Sequence, residues 1–387
     1  MVVINCLEEI FMELDELREQ INGIDEEIAK LFIKRMGLCL DVSRYKIENS
    51  MPVFQRGREK DILDKMKEMF PDDLKSSSQV LYQTIMDISK CRQYREFFAD
   101  NNTIEHFPLD MQKPCRVAVP GTKGSFSHIA STKPFKNGII EFYDHFEQVF
   151  EALENGKADF GVVPIANSTA GSVVATYELL KKYDLKICAT MKQKITHCLA
   201  AKKGTSIEDI KIVYSHEQAL MQCSEFIKQH GLKGHSHANT ALAAEFAAHS
   251  DQPFGAICSK ECALLNGLDI LAEDIANVPE NFTRFIIISK QTLCSKGANI
   301  ISVILSLPHE KSALYRLLTK FSVAGLNLTM IESRPIANTD FDVVFYLDFE
   351  GSIRDEQVAM LINELSQELA YFKFLGNYED ITGGARQ

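Results

Sequence analysis

Between Leu7 and Tyr45, apolar residues recur at positions 7, 10, 14, 17, 21, 24, 28, 31, 38, 42 and 45. That alternation of threes and fours over about five heptads describes one helix with an apolar stripe. Only Gly23 and Gly37 weaken it. At 1.5 Å per residue the helix is ~58 Å long, more than a small domain can cover. Such a stripe needs a partner, so the sequence implies a helical homodimer, or a tetramer built from it. Pro52, after Asn49-Ser50, ends the run. Two further helical stretches, 55–70 and 74–98, are separated by Pro71-Asp72-Asp73, so residues 1–100 read as an all-α unit.

Residues 101–114 are polar, carry two prolines and lack a period, as a linker does. Residues 115–291 then alternate short apolar strands with helical patterns, which implies an α/β architecture. Strands are expected at Arg116–Pro120, Phe160–Ile165, Lys186–Thr190, Lys211–Ser215, Phe254–Cys258 and Arg284–Ser289. Residues 299–379 follow the order βαββαβ, an α+β ferredoxin-like arrangement.

Composition narrows the function. A net charge of −11 does not suit non-specific nucleic-acid binding, although a local cationic pocket for small anions remains compatible with it. No apolar run approaches the ~18 residues of a membrane helix, and the N-terminus is acidic where a signal peptide would be basic. The expectation is a cytosolic chain with neither membrane nor nucleic-acid partner. Its ten cysteines form no C-x-x-C pair and read as buried, reduced thiols. His230, His235 and His237 read as a solvated Gly-rich loop, so neither a metal nor another cofactor is expected.

Arg35 occupies a stripe position where leucine belongs, and a buried arginine calls for an anion. Lys46, eleven residues on, lies about 20° around the helix from it, so the two cations share a face. Arg18 lies about 100° off that line and would reach a different site, across the dimer. Taken singly, each cation reads as a solvated helix face. In the second helical stretch Arg58 and Glu59 precede Ile62, Leu63, Met66 and Phe70. In the third, Ser89 and Gln93 continue the face of Leu81 and Ile85. Several cations, one acid and two neutral hydrogen-bonders, without a nucleophile–base pair, suit restraint of a small dianion.

Residues 7–95, with LREQINGIDEEIAKLFIKRMGLCLDVSRYKIENSMPVFQRGREKDIL at their centre, resemble the all-helical chorismate mutases. The resemblance implies that Arg18, Arg35, Lys46 and Arg58 hold the substrate's carboxylates and ether region. It also implies that Glu59, Ser89 and Gln93 complete the hydrogen-bonding set, and that Arg18 serves the partner protomer. Gln55 stands where bacterial bifunctional relatives carry aspartate, which implies altered affinity.

The motifs VAVPGTKGSFSHIA, VVPIANSTAGSV, ITHCL, VYSHEQAL and NFTRFIII occur in an order that resembles prephenate dehydratase. On residues alone, the glycines and serines of Gly121–His128 suit either a carboxylate cradle or a capped strand–helix turn. The resemblance implies a two-lobed, periplasmic-binding-protein-like α/β domain with the site in the cleft, and makes Thr283 the group that donates to the leaving hydroxyl. It makes Ser127, Asn167, Ser168 and Gln218 polar lining, and Arg284 a carboxylate partner. The family usually reads P-I-E-N-S, and here Ala166 replaces the glutamate. That leaves open a working dehydratase or a sensor that has lost dehydration.

The last segment resembles the ACT domain fused to these dehydratases. IESRP matches its L-phenylalanine-binding motif with Glu332, Ser333, Arg334 and Pro335, and Asn327 accompanies it. The facing Gly-Ala-Leu reads Ser312, Ala313 and Leu314, and serine fits there if the backbone φ is negative, as at a helix start. Together the three segments resemble the bifunctional chorismate mutase/prephenate dehydratases, with chorismate and prephenate as substrates and L-phenylalanine as regulator. A solute-binding protein is the remaining class for two lobes around a cleft, and NFTRF weighs against it.

Overall fold

A computed structural model describes residues 2–98, 104–335 and 343–382. Side chains of residues 2–13 and of residue 56 lie outside that description, as do linker residues 101–103 and the stripe side chains of Leu7 and Ile10.

Three helices build the N-terminal unit: α1 (Val2–Glu48), α2 (Arg56–Met69) and α3 (Lys75–Phe97). At 1.5 Å per residue α1 is about 70 Å long. Among its described residues the buried ones lie in the C-terminal half and off the stripe, where Met36, Ser43 and Lys46 sit beside Met86, Ser89 and Gln93 of α3. The described stripe itself is bare from Leu14 to Tyr45, Leu38 and Tyr45 included. Leu17, Ile21, Ile24 and Ile28 are each more than half exposed, and Leu31 is 66% exposed. An isolated helix of this kind is marginal in water, so the stripe calls for cover.

The α/β unit has two lobes. Lobe one holds β1 (Phe107–Pro108), β2 (Cys115–Pro120), α4 (Phe126–Thr132), β3 (Gly138–Tyr143), α5 (Phe146–Glu154), β4 (Phe160–Asn167), β5 (Gly171–Ser172), α6 (Val174–Lys182) and β6 (Lys186–Lys194). Lobe two holds β7 (Cys198–Ala201), β8 (Ile212–Ser215), α7 (Glu217–Gln222), α8 (Ser224–Gln229), β9 (Lys233–Ser236), α9 (Thr240–His249), β10 (Gly255–Cys258), α10 (Lys260–Leu265) and β11 (Asp269–Ala272). The chain then returns as β12 (Phe282–Ser289), and β13 (Leu293–Cys294) pairs with β1. The main sheet of lobe one runs β3-β2-β4-β12-β6, with β5 on β4, and that of lobe two runs β11-β7-β10-β8-β9. Two crossings, residues 195–197 and 273–281, join the lobes.

The C-terminal unit is β14 (Ile300–Ser306), α11 (Ala313–Val323), β15 (Leu328–Pro335), β16 (Val343–Glu350), α12 (Glu356–Glu368) and β17 (Phe372–Tyr378), with sheet order β15-β16-β14-β17. One sheet face packs on lobe one, where Ile304, Val344, Tyr346, Leu375 and Tyr378 share a core with Ile286, Ile288 and Tyr177. The other carries α11 and α12, which pack against α3. The C-terminal unit is thus wedged between the helical and the α/β units. At its tightest point Gly376, φ +149°, lies so near Ile187 that a Cβ there would fall 2.1 Å from the Ile187 carbonyl oxygen.

Several local expectations change. The polar KGHS of β9 is a strand, parallel to β8, so His235 sits in a sheet and not in a loop. Its ring packs on Tyr214, while His237 packs on Phe246 and His230 on Phe226. β3, β7 and β11 also lie where no strand was expected. Among the described cysteines, Cys39 and Cys115 are half-buried; the other seven are buried, and burial pushes Cys188 and Cys223 up to about 12.

Ser312, the residue before α11, has φ +63° and ψ 15° rather than the negative φ expected of a helix start. A side chain in this left-handed region costs roughly 1–2 kcal/mol, a cost glycine avoids. Ser312→Gly is therefore expected to raise the unfolding temperature of the full chain by roughly 2–4 °C in a calorimetric scan. A lowered temperature would show that Ser312 is held by something worth more than the strain.

Candidate active sites

The first site forms where α1, α2 and α3 meet. The Arg35 guanidinium donates to the Ser89 hydroxyl and also reaches the Ile85 carbonyl at 3.5 Å. Lys46 Nζ donates to the Val53 carbonyl at 2.7 Å and to Gln93 Oε1 at 3.0 Å. Burial pulls the Lys46 ammonium below its ordinary pKa, and the nearby charge of Glu59 works the other way. Glu59 is half-buried and ion-paired at 3.1 Å with Lys90, a residue the sequence did not single out. The structure thus places Arg35 with Ser89 and Lys46 with Gln93, with Glu59 near enough to Lys46 to influence its charge.

Three expected members stand apart. Arg58 is exposed on the first turn of α2, and Gln55 precedes that helix half-buried, with no side-chain cap bond. Arg18 is exposed seventeen residues up α1, about 25 Å along the axis from Arg35, and pairs with Asp15 at 3.2 Å. One chain does not bring Arg18 to the cluster.

The second site lies on lobe one at the cleft. Antiparallel pairing sets Thr283 of β12 directly opposite Asn167 of β4, with Gln193 of β6 on its other side. Asn167 Nδ2 donates to Thr283 Oγ1 at 3.0 Å and to Asn281 Oδ1 at 2.8 Å. Its Oδ1 accepts from the Thr169 amide, the Thr169 hydroxyl and the Ala170 amide, which winds the NSTAG turn around it. Because Thr283 Oγ1 accepts from Asn167, its own proton remains available to a substrate oxygen. Ser168 is spent on the turn: its hydroxyl accepts from the Phe282 amide at 2.9 Å and lies 3.4 Å from the Glu280 carbonyl.

The opposite wall comes from lobe two. Gln222 of α7 donates to Thr169 Oγ1 at 3.1 Å, and its Oε1 contacts His197 Nε2 at 3.0 Å. Sequence reading selected Gln218 from this helix. The structure puts Gln218 in its first turn, its backbone N–H donating to His216 Nδ1, while Gln222, one turn later, spans the lobes. The i+4 spacing was the signal available.

Gly121 and Gly124, both at positive φ, form the turn before α4, and a Cβ on Gly124 would lie 3.1 Å from the Cys262 backbone. Ser125 caps α4 by accepting from the His128 amide, so this serine serves the turn, and Ser127 lies half-buried in the first turn after it.

Arg284 adjoins the Thr283 cluster but points to the other side of the strand. Successive strand residues face opposite sides, and Arg284 pairs with Ala166 and Lys192 on the face turned to the C-terminal sheet. It lines a cavity of about 520 Å³ with Asp348, Tyr378 and Met330. Ala166 lines the same cavity, as do Asn167 and Ser168, so a glutamate there would pair across the strands with Arg284 at the edge of the Thr283 cluster.

In the C-terminal unit the two expected ligand-binding stretches meet through β16, whose Val343 and Phe345 pair with Pro335 and Ser333 of β15. A second cavity of about 520 Å³ is lined by Leu307–Lys311, Ala313, Leu314, Val343 and Phe345. Glu332 and Arg334 pair with each other on the sheet face turned to lobe one, where Ser172 donates to Glu332 at 2.9 Å and Arg334 stacks on Tyr177. Ser333 and Pro335 alternate onto the other face. Asn327, before β15, donates to Glu350 at 3.2 Å.

Residues 117–293 match the family described as prephenate dehydratase, and residues 17–94 match chorismate mutase type II. The bifunctional chorismate mutase/prephenate dehydratase of Aquifex aeolicus is 33% identical over 372 residues, covering 95% of this chain and 98% of that protein. Its namesake in Pseudomonas aeruginosa is 31% identical and covers 95% and 97% respectively. Among solved structures, a prephenate dehydratase from Arthrobacter aurescens in complex with L-Phe is 30% identical. It superposes with a TM-score of 0.63 over 68% of this chain and 89% of that one.

Proposed function

This chain belongs to the bifunctional chorismate mutase/prephenate dehydratases, and from that membership we propose how its two sites divide the work. It rearranges chorismate to prephenate and converts prephenate to phenylpyruvate, two consecutive steps of L-phenylalanine biosynthesis.

Rearrangement is pericyclic and needs no base. Arg35 and Lys46 are proposed to bind the substrate dianion in its diaxial conformer, with Lys46 and Gln93 meeting the negative charge that builds on the ether oxygen. Glu59, Gln55 and Arg58 extend the pocket from α2. A second copy of this chain covers the bare stripe of α1 and supplies Arg18, which accounts for both the exposure of Leu17–Leu31 and the distance of Arg18 from Arg35.

For dehydration, the Asn167–Thr283 hydrogen bond carries the reading. Asn167 fixes the threonine hydroxyl, whose proton is aimed at the leaving hydroxide as carbon dioxide departs and the ring becomes aromatic. Gln222 and Thr169 hold the lobes over the substrate, with Gln218 and Ser127 as nearby lining. Ala166 stands outside this set. The test is prephenate turnover, read as phenylpyruvate absorbance in alkali, by the unmodified chain and by Ala166→Glu. Measurable turnover by the unmodified chain, changed less than about threefold by the new carboxylate, is expected, since a partly exposed Glu–Arg pair contributes little. An inactive chain, or a gain above tenfold on adding glutamate, would assign the acid to position 166 and make the present chain a sensor.

The βαββαβ unit is proposed to be an ACT domain with L-phenylalanine as its ligand. Ser312–Leu314 and the Glu332–Pro335 strand supply the recognition groups, and the cytosol is the proposed compartment.

A further inference from the structure

Lys90 follows Ser89 on α3 and points away from Arg35, toward α2 and the C-terminal unit. Its ammonium lies 3.1 Å from Glu59, 3.0 Å from Asp87 and 4.0 Å from Glu368 of α12, with the Phe54 ring below it at 5.1 Å. Lys320 of α11 pairs with Glu364 and, at 2.9 Å, with the second oxygen of Glu368. Cys91 Sγ contacts Glu364 at 3.5 Å, closing the network onto α3. Lys90, Asp87, Lys320 and Glu364 are each buried. Burial alone would lower the pKa of Lys90, yet Glu368, Asp87 and Glu59 outweigh it and raise the value, against Lys320.

Two oxygens in this network are buried without a hydrogen bond: Asp87 Oδ2 and Glu368 Oε1. The second is the atom 4.0 Å from Lys90 Nζ. A shift of about 1 Å in α12 would complete that bond, and Lys90 would then be shared away from Glu59. A buried ion network changes strongly when one partner is altered, because the remaining charges stay out of water.

We propose that Lys90 is a positioning residue for chorismate rearrangement, holding the Glu59 carboxylate in the pocket, and that Glu368 competes for it from the C-terminal unit. This rests on the reading of the helical site above. The C-terminal unit thereby acts on the rearrangement through one ammonium shared between its own carboxylate and that of the pocket.

The test uses the full chain, with both activities followed in the same preparations. Lys90→Met is expected to lower kcat/KM for chorismate about 30-fold, chiefly through KM, while prephenate turnover stays within twofold. Lys90→Arg, which keeps the charge, is expected to recover to within about fivefold. Glu368→Gln removes the competitor and is expected to lower KM for chorismate two- to fivefold at unchanged kcat, a change of opposite sign that loss of packing would not give. Wild-type rearrangement rates in Lys90→Met, a parallel loss of prephenate turnover, or a KM in Glu368→Gln that is unchanged or raised, would each overturn the inference. A wild-type chain inactive on chorismate would overturn the site reading along with it.

Discussion

Replacing Arg35 by alanine is expected to abolish chorismate rearrangement, with kcat/KM falling on the order of 10³-fold, or about 4 kcal/mol. The loss follows from what the side chain does. It is a cation set into an otherwise apolar helix stripe, fixed by Ser89 and the Ile85 carbonyl, neither of which neutralises its charge. A dianion supplies what those neutral partners cannot. Alanine removes the charge and leaves Ser89 still bonded to the Ile85 carbonyl, so the fold suffers little. Prephenate added directly should be consumed at the wild-type rate, because the Thr283 cluster lies on lobe one, with the C-terminal unit between it and α3. Equal loss of both activities would contradict two separate sites.

The complementary change is Thr283→Ala. It removes the proton donor while Asn167 keeps its bonds to Asn281 and the NSTAG turn, so the cleft wall is expected to survive. Prephenate turnover should fall 10²–10⁴-fold, the range of a general-acid contribution, and should fall in kcat more than in KM. Chorismate rearrangement should be untouched. Thr283→Ser, which retains the hydroxyl, should keep most of the activity. An alanine variant within tenfold of wild type would move the acid elsewhere.

How much of this was legible in the sequence depended on whether a signal is local. The α1 stripe was plain because a period repeated over forty residues can only be a helix, and its exposure was foreshadowed by its length. β9 was hidden because KGHS has no apolar alternation; it is a strand through pairing with β8, which no local pattern records. The orientation of Arg284 follows from strand parity. Its neighbour Thr283 pairs with Asn167 and Gln193, so the arginine points to the other side of the sheet, and only the start of β12 at Phe282 makes that alternation visible. Nothing local marks Lys90, Asp87, Glu364 and Glu368, which lie on two helices some 270 residues apart, and it is the wedging of α11 and α12 against α3 that takes them out of water. The Gln222–Thr169 bridge is equally non-local. Ser312 was correctly placed at a helix start, yet the last residue before a helix is free to lie outside helical space, and this one does.

Gly376 carries a consequence for how such a chain can drift. Most tight contacts in a protein are negotiable, since a bulkier residue on one side can be answered by a trimmed one on the other. Here the obstacle is the carbonyl oxygen of Ile187, which every residue type possesses. No second substitution at 187 can make room for a side chain at 376, so the pair has no compensatory route. A lineage that keeps β17 seated on β6 is expected to keep that glycine, whatever becomes of the residues around it.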